Sequence, residues 1–485
     1  MAFILTGLSF ANAEETNSFR VLIVGGGPDK EDNAAQIEGH VGYVAKLLSP
    51  SVPRTLLFSD GKAASKSVAS VETGPEADAK EALTILLPKD DLPEAVVQRE
   101  PALGTPIDAA SSSGAIHRAF TDIIAQSRTK PASLLLFFAG HGGPDGNKEE
   151  SVEYDLWNGK SFSVHDLSAE VARVPANCPI VLVMAQCYSG GFANVILRDG
   201  NPHGELVPQN IVGFFSSRKN REAAGCGLST NEEDYQDFSS YFFGALCGYS
   251  RFGQPVSGAD FDANGSVSLH EAFCYALIHD ESIDTPVCTS DAFLRRFVSM
   301  PDAEIFAMPY AEVAQAASPA QHAALEQLSQ QLGIDGEQRI LTAYDRLAYR
   351  DPLGTSAHLA AYRETSDRLN DLRKTTLDTF FKDWPALRWP DAKGYDEAVD
   401  KATHALAANP TLCHDLLSAS KAEDDAENFL DIEEARLYRL LDLYRSIVLA
   451  KNLREHGSET TKKSFEKMWA AEQQTLPLVY PVKAK

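Results

Sequence analysis

Short unbroken apolar runs alternate with stretches of helical periodicity through the first part of the chain. Residues 19–24 read Phe-Arg-Val-Leu-Ile-Val and end in Gly25-Gly26-Gly27-Pro28, the pattern of a buried strand followed by a loop. Ile37, Val41, Val44 and Leu48 then share one helical face. Further apolar runs stand at Leu56–Phe58, Leu134–Phe138, Ile180–Met184 and Ile211–Phe215, with helical patterns near 114–126, 166–174 and 190–198. The strands are continuously apolar, not alternating, so the pattern predicts an α/β fold whose mainly parallel sheet has helices on both faces.

Two regions depart from this rhythm. Residues 59–113 are rich in Ala, Ser, Lys, Asp and Glu and read as a polar insertion with one strand, Leu83–Leu87. From about residue 301 strand patterns vanish. Leu437, Leu440, Leu441, Tyr444, Ile447 and Val448 form one helical stripe, and Pro319, Pro352, Pro385, Pro390 and Pro410 punctuate the region. Residues 14–300 are therefore expected to form one α/β domain and 301–485 an all-helical one. No fixed-period repeat is visible.

Composition narrows the function classes. The formal charge of −24 argues against general nucleic-acid binding, because an acidic surface repels phosphate backbones. No stretch has the roughly 18 uninterrupted apolar residues of a membrane span. The apolar start, followed by Ala11-Asn12-Ala13, reads as the remnant of a secretory signal peptide over residues 1–13, although no basic residues precede it. This predicts export, periplasmic or secreted; the competing reading is an apolar N-terminus on a cytoplasmic protein. Seven cysteines leave at least one thiol outside any intramolecular pair, and in an oxidising compartment up to three disulfides would fit beside one nucleophile. Reduced core cysteines are the alternative.

Two runs carry candidate chemistry. Leu134–Phe138 leads into Ala139-Gly140-His141-Gly142-Gly143-Pro144, and Ile180–Met184 into Ala185-Gln186-Cys187-Tyr188-Ser189-Gly190-Gly191. Each places a reactive side chain beside glycines at the C-terminal mouth of a buried strand, where open α/β sheets bind ligands. A separation of 187 − 141 = 46 residues suits a strand–helix–strand crossover that makes the two strands neighbours. A cysteine sulfur is a strong nucleophile, and a nearby imidazole activates it or protonates a leaving amine.

At these motifs the chain resembles the legumain and caspase superfamily of cysteine peptidases. His-Gly-Gly-Pro and Cys-x-Ser-Gly stand nearer to legumains, while the caspase order Gln-Ala-Cys is absent. The resemblance spans roughly residues 19–290. It implies a caspase/legumain-like fold and a cysteine endopeptidase acting on peptide or protein substrates with no cofactor for catalysis. Cys187 is the implied nucleophile and His141 the catalytic histidine, with the Cys187 and Gly142 N–H groups forming the oxyanion hole. Asp32 and Asn33 both lie where legumains place the asparagine that orients the histidine; Gln36, Glu38 and Tyr43 match further family positions. The Arg and His of the legumain Asn-x-Arg-His-Gln run are Ala34 and Ala35 here, and Ala185 replaces the glutamate two before the nucleophile, so asparagine specificity is not carried over.

The resemblance also implies that the helical region 301–485 caps the site intramolecularly. The acidic run Glu423–Glu427 would dock on a basic rim, and the Ala-rich stretch Pro309–Pro319 would serve as an exposed connection. Two rivals remain: a catalytically silent scaffold binding partners through its helical domain, and a legumain-like transamidase.

Residues 260–271 fit the D-x-[DN]-x-[DN]-G-x5-E pattern of an EF-type calcium loop, offering Asp260, Asp262, Asn264, Ser266, Ser268 and Glu271 as ligands for a structural Ca2+. The same residues also read as a polar turn, with Ser268 and Glu271 forming a helix capping box. Gly25-Gly26-Gly27 does not make a dinucleotide fingerprint, since Lys30 stands where its last glycine belongs.

Overall fold

A computed structural model describes residues 18–87, 92, 95–145, 151–349 and 356–480; the signal-peptide reading of residues 1–13 lies outside them. In chain order the first part runs β1 (Ser18–Gly26), α1 (Ala35–Lys46), β2 (Arg54–Phe58), β3 (Val68–Val71), α2 (Pro75–Leu86), β4 (Val96–Arg99), α3 (Ser113–Thr129), β5 (Ala132–Gly140), β6 (Gly142–Pro144), β7 (Val152–Leu156), β8 (Lys160–Ser163), α4 (Val164–Ala172), β9 (Ile180–Ala185), β10 (Ile211–Phe215), α5 (Phe238–Cys247), α6 (Leu269–His279), β11 (Val287–Cys288) and α7 (Thr289–Phe297). The second part is helical: α8 (Asp302–Phe306), α9 (Tyr310–Ala316), α10 (Pro319–Gln331), α11 (Arg339–Ala348), α12 (Ser356–Asp383), α13 (Tyr395–Ala407), α14 (Pro410–His456) and α15 (Glu459–Glu472).

The main sheet has the order β11-β10-β9-β5-β1-β2, parallel except for β11. Both faces are covered, as continuous apolar strands require. Phe214 of β10 meets Phe242 of α5 and Phe273 of α6, with ring centroids 5.0 and 5.7 Å apart. On the neighbouring position, a Cβ at Gly213 would meet Thr289 of α7. The chain leaves β1 for β2 and returns past β1 to β5, so strand order reverses between β1 and β5. Ligands in open α/β sheets bind at the carboxyl ends of strands flanking such a reversal. Among the described residues no helix is long and apolar enough to cross a membrane.

Two local expectations change. Leu83–Leu87 is no strand: Pro75 at the helix start and the small, regularly spaced apolar residues favour α2, whose Ala79, Ala82, Leu83 and Leu86 are buried. Residues 190–198 fold not as an α-helix but as a 3-10 segment, Ser189–Ile196. Among the described residues the cysteines are free thiols, the reduced alternative, with Cys178, Cys274, Cys288 and Cys413 buried.

Apolar packing runs across the expected division at residue 300. The sheet's core continues through Ile305, Phe306, Tyr310 and Val313 and through the α14 stripe from Leu437 to Leu453. A second, smaller core joins α2, from the polar insertion, to Phe380 of α12, Leu406 of α13 and Leu416 of α14. Helix α14 therefore threads both cores, and chain position 300 separates neither.

Arg439 shows how closely the two parts are fitted. Its guanidinium is buried, yet it donates to three main-chain carbonyls: Nε to Asp284 at 2.8 Å, Nη1 to Asp280 at 2.6 Å and Nη2 to Ser282 at 2.8 Å. The Asp280 carboxylate lies 3.3 Å from Nη2. The stretch Pro309–Pro319, expected to be an exposed connection, is α9 with Tyr310 and Val313 buried. Asp424 of the acidic run lies near Glu81 of α2, whose carboxyl is pushed up by burial and then by Asp78 and Asp424.

Candidate active site

Strands β5 and β9 pair in parallel with Ala139 opposite Ala185. His141 and Cys187 each follow two residues later, so the register carries both to the same carboxyl edge of the sheet, beside the strand-order reversal. Past His141 the chain turns back as the antiparallel β6–β7–β8 meander, with Gly142 opposite Tyr154. Past Cys187 it reverses at Tyr188, which holds a left-handed backbone (φ 59°, ψ 11°) before the 3-10 segment begins.

The imidazole of His141 is oriented by main chain. Its Nε2 donates to the Asp32 carbonyl oxygen at 2.7 Å. A carbonyl only accepts, so Nε2 carries the proton and in the neutral ring Nδ1 carries the lone pair. Of the two candidate orienting residues, Asp32 thus makes this contact, and through its backbone. Asn33 is buried and serves the scaffold: its Oδ1 accepts from Gly27 N at 3.1 Å and its amide donates to the Ser67 carbonyl.

The sulfur of Cys187 is half-buried against the loop after β10. It accepts from Ala223 N–H at 3.3 Å and faces the Ala223 carbonyl oxygen at 3.6 Å. Burial pushes the thiol up to about 11; the Ala223 hydrogen bond opposes this, and Cys226, Glu222 and Asp284 add to it. No hydrogen bond joins His141 to Cys187.

Gly142 can occupy its position only as glycine. A Cβ there would lie 2.8 Å from the Glu153 carbonyl, 2.9 Å from the Cys187 carbonyl and 2.9 Å from Gln186 Cγ. Asp155 N–H donates to His141 O at 3.0 Å and Asp145 N–H to Ser151 O at 2.9 Å, which puts residues 141, 143 and 145 at the hydrogen-bonded positions of the β6–β7 pair. Gly142 therefore sits at a non-hydrogen-bonded position, its N–H turned away from β7.

Several residues of the site carry no motif. Asp155 on β7 places a carboxylate near His141; burial raises its carboxyl while the histidine's charge pulls it down. Its signal is the alternation Val152, Tyr154, Leu156, all buried, which sends Glu153 and Asp155 to the other face. Ala223 contacts the sulfur through its backbone alone. The family-matched Gln36 ties α1 to the same loop, its Oε1 accepting from Gly227 N at 2.8 Å, whereas Glu38 turns to Arg99 at 2.6 Å. Tyr43 lies under the Arg251 guanidinium at 4.7 Å.

The calcium-like loop lies apart from this site, between α5 and α6. Ligand-capable oxygens of Asp260, Asp262 and Glu271 come within 4.8 Å of one another. Asn264 Oδ1 instead accepts from Ser266 N and Oγ, at 3.0 and 2.8 Å. The capping box forms too, with Ser268 N and Oγ each donating to Glu271 Oε2 at 2.9 Å. The capping-box reading is formed, and of the calcium reading the structure shows an acidic cluster alone. The chain as a whole matches no family model and no curated protein.

Proposed function

We propose that the chain is a legumain/caspase-like cysteine endopeptidase, in which Cys187 forms an acyl-enzyme and His141 moves the proton. The observation that carries this reading is the register of β5 and β9, which brings His141 and Cys187 to one sheet edge while Asp32 commits Nε2 of the histidine and leaves Nδ1 its lone pair.

The chemistry follows from those states. The Cys187 sulfur attacks a peptide carbonyl carbon, and its proton passes to His141 Nδ1, as a thiol that resists ionisation at neutral pH requires. The carbonyl oxygen, now negative, sits against the Gly142 and Cys187 N–H groups. The Asp155 carboxylate favours the imidazolium that has formed. Collapse of the intermediate breaks the C–N bond, and the imidazolium gives its proton to the departing amine. Water then attacks the thioester with His141 Nδ1 as base, releasing the acid and restoring the thiol.

The test is cleavage of a diverse peptide library by the full chain, with Cys187→Ala as control and an added amine in a parallel arm. Cleavage that needs Cys187 supports the peptidase. Amide products in the amine arm favour the transamidase, and no turnover in either arm leaves the silent scaffold.

A further inference from the structure

Asp284 is buried, carries no motif and stands 97 residues after the nucleophile (284 − 187). Its Oδ1 accepts from Ala224 N–H at 2.7 Å and its Oδ2 from Phe238 N–H, at the first turn of α5, at 2.9 Å. The Ala224 N–H belongs to the same planar peptide unit as the Ala223 carbonyl, whose oxygen faces the Cys187 sulfur at 3.6 Å. One rigid unit therefore joins the Asp284 carboxylate on one side to the nucleophilic sulfur on the other. The main chain that carries Asp284 is gripped from a third direction: Arg439 of α14 donates to the carbonyls of residues 280, 282 and 284.

We propose that Asp284 is a positioning residue for Cys187, and that Arg439 sets Asp284 in place, so that α14 belongs to the mounting of the nucleophile. This rests on the peptidase reading for its meaning, although the geometry is independent of it. A carboxylate accepting from the N–H of a peptide draws electron density toward that peptide's oxygen and makes it the better acceptor for the thiol proton. Asp284 thereby holds the sulfur protonated and aimed until substrate arrives. Burial, then Asp280 and Asp237, push the Asp284 carboxyl well up, while the Phe238 and Ala224 N–H groups pull it back. In its charged form it raises the Cys187 thiol, as do Cys226 and Glu222, and the Ala223 N–H opposes them.

The experiment measures the rate at which iodoacetamide labels Cys187 in the full chain as a function of pH, with the site of labelling read by peptide mass. Asp284→Asn keeps the shape, but its amide can accept through one oxygen only, so one of the two N–H donors loses its partner. We expect its labelling midpoint to fall by about half a unit or more, with peptide cleavage slowed about tenfold or more: a more reactive thiol in a poorer enzyme. Arg439→Lys, which loses the forked grip but retains a buried cation, should shift the midpoint in the same direction by less. Asp302→Asn, which removes a surface partner of Arg445 on the same helix (2.7 Å), should leave it unchanged. An unchanged or raised midpoint in Asp284→Asn overturns the proposal, as does an equal shift in Asp302→Asn. If the midpoint falls in a chain whose wild type cleaves no peptide, the mounting stands and the peptidase reading fails.

Discussion

Replacing Glu472 with glutamine should alter how the protein's stability depends on pH. Glu472 is fully buried on α15, where its two oxygens accept from Ser290 N at 3.2 Å and Ser290 Oγ at 2.9 Å. Burial raises its carboxyl from an ordinary 4.5 to about 8; the Ser290 bonds pull it back and Asp291 adds to the rise. A raised folded-state value means that folding favours the protonated form. The stability this proton confers is complete below pH 4.5 and is lost progressively until pH reaches about 8. Across that window the loss amounts to about 5 kcal/mol at most, from 1.36 kcal/mol per pH unit. Neighbouring His270, 3.8 Å away through Nδ1, works in the opposite sense. Burial holds it down to about 4, so its contribution is lost as pH falls from 6.5 toward 4. The contributions of these two groups cancel between about pH 4.5 and 6.5, so together they leave the wild-type melting temperature level there and make it decline from about pH 6.5 to 8. In Glu472→Gln, whose amide stays neutral and still accepts from Ser290, the alkaline decline should flatten and the two curves should cross. Melting curves of wild type and variant that run parallel from pH 6 to 8.5 would refute this account of Glu472.

The remaining expectations are simpler. Cys187→Ala and His141→Ala should each abolish peptide cleavage with the melting temperature kept within a few degrees, because nucleophile and base act as a unit. Gly142→Ala should lower cleavage by about a hundredfold or more, since its methyl group meets the Cys187 carbonyl and displaces an oxyanion donor. Millimolar calcium should raise the melting temperature of the wild type but not of Asp260→Ala; indifference of the wild type would leave residues 260–271 as a capped turn. A chain ending at residue 300 should not fold: it lacks the six-residue α14 stripe from Leu437 to Val448, about 10 kcal/mol of apolar burial, which is comparable with a whole domain's net stability. A soluble truncated chain with a sharp melting transition would restore the separate-domain reading.

What can be read from the sequence divides by range. His141 and Cys187 follow unbroken apolar runs, and a buried parallel strand leaves no other pattern, so both ends of the site are visible locally. Leu83–Leu87 misleads for the same reason: an apolar run looks alike in a strand and on a helix face, and α13 and α14, more than three hundred residues later, supply the surface that makes it a helix. Asp155, Ala223 and Asp284 act through peptide bonds or through alternation on a short strand, and neither leaves a residue-type signature. Arg439 is the sharpest case. It stands inside Leu437-Tyr438-Arg439-Leu440-Leu441, where periodicity alone would turn an arginine outward; its burial depends on three carbonyls of residues 280–284 that converge only in the folded chain.

That burial bears on how the proposed peptidase could be regulated. A cap that is cut away must leave an enzyme able to stand without it, which requires an interface of surface character, polar and replaceable by water. The contact of α14 has the opposite character: a guanidinium with no exposed edge, a continuous apolar stripe, and the buried Asp442 shared among Arg218, Arg295 and Arg445 at 3.1, 2.9 and 3.3 Å. Withdrawing the helix would leave unpaired charges in the core, among the costliest defects a fold can carry. The rim of the helix, by contrast, touches the loop that leads to Ala223 through half-exposed groups. Glu434 pairs with Arg221 at 2.9 Å, and Tyr438 lies under the Arg218 and Arg221 guanidiniums at 4.7 and 4.6 Å. Control exerted through the helical region would therefore act by loosening that rim while the helix stays seated, changing the aim of Cys187 without removing any part of the chain.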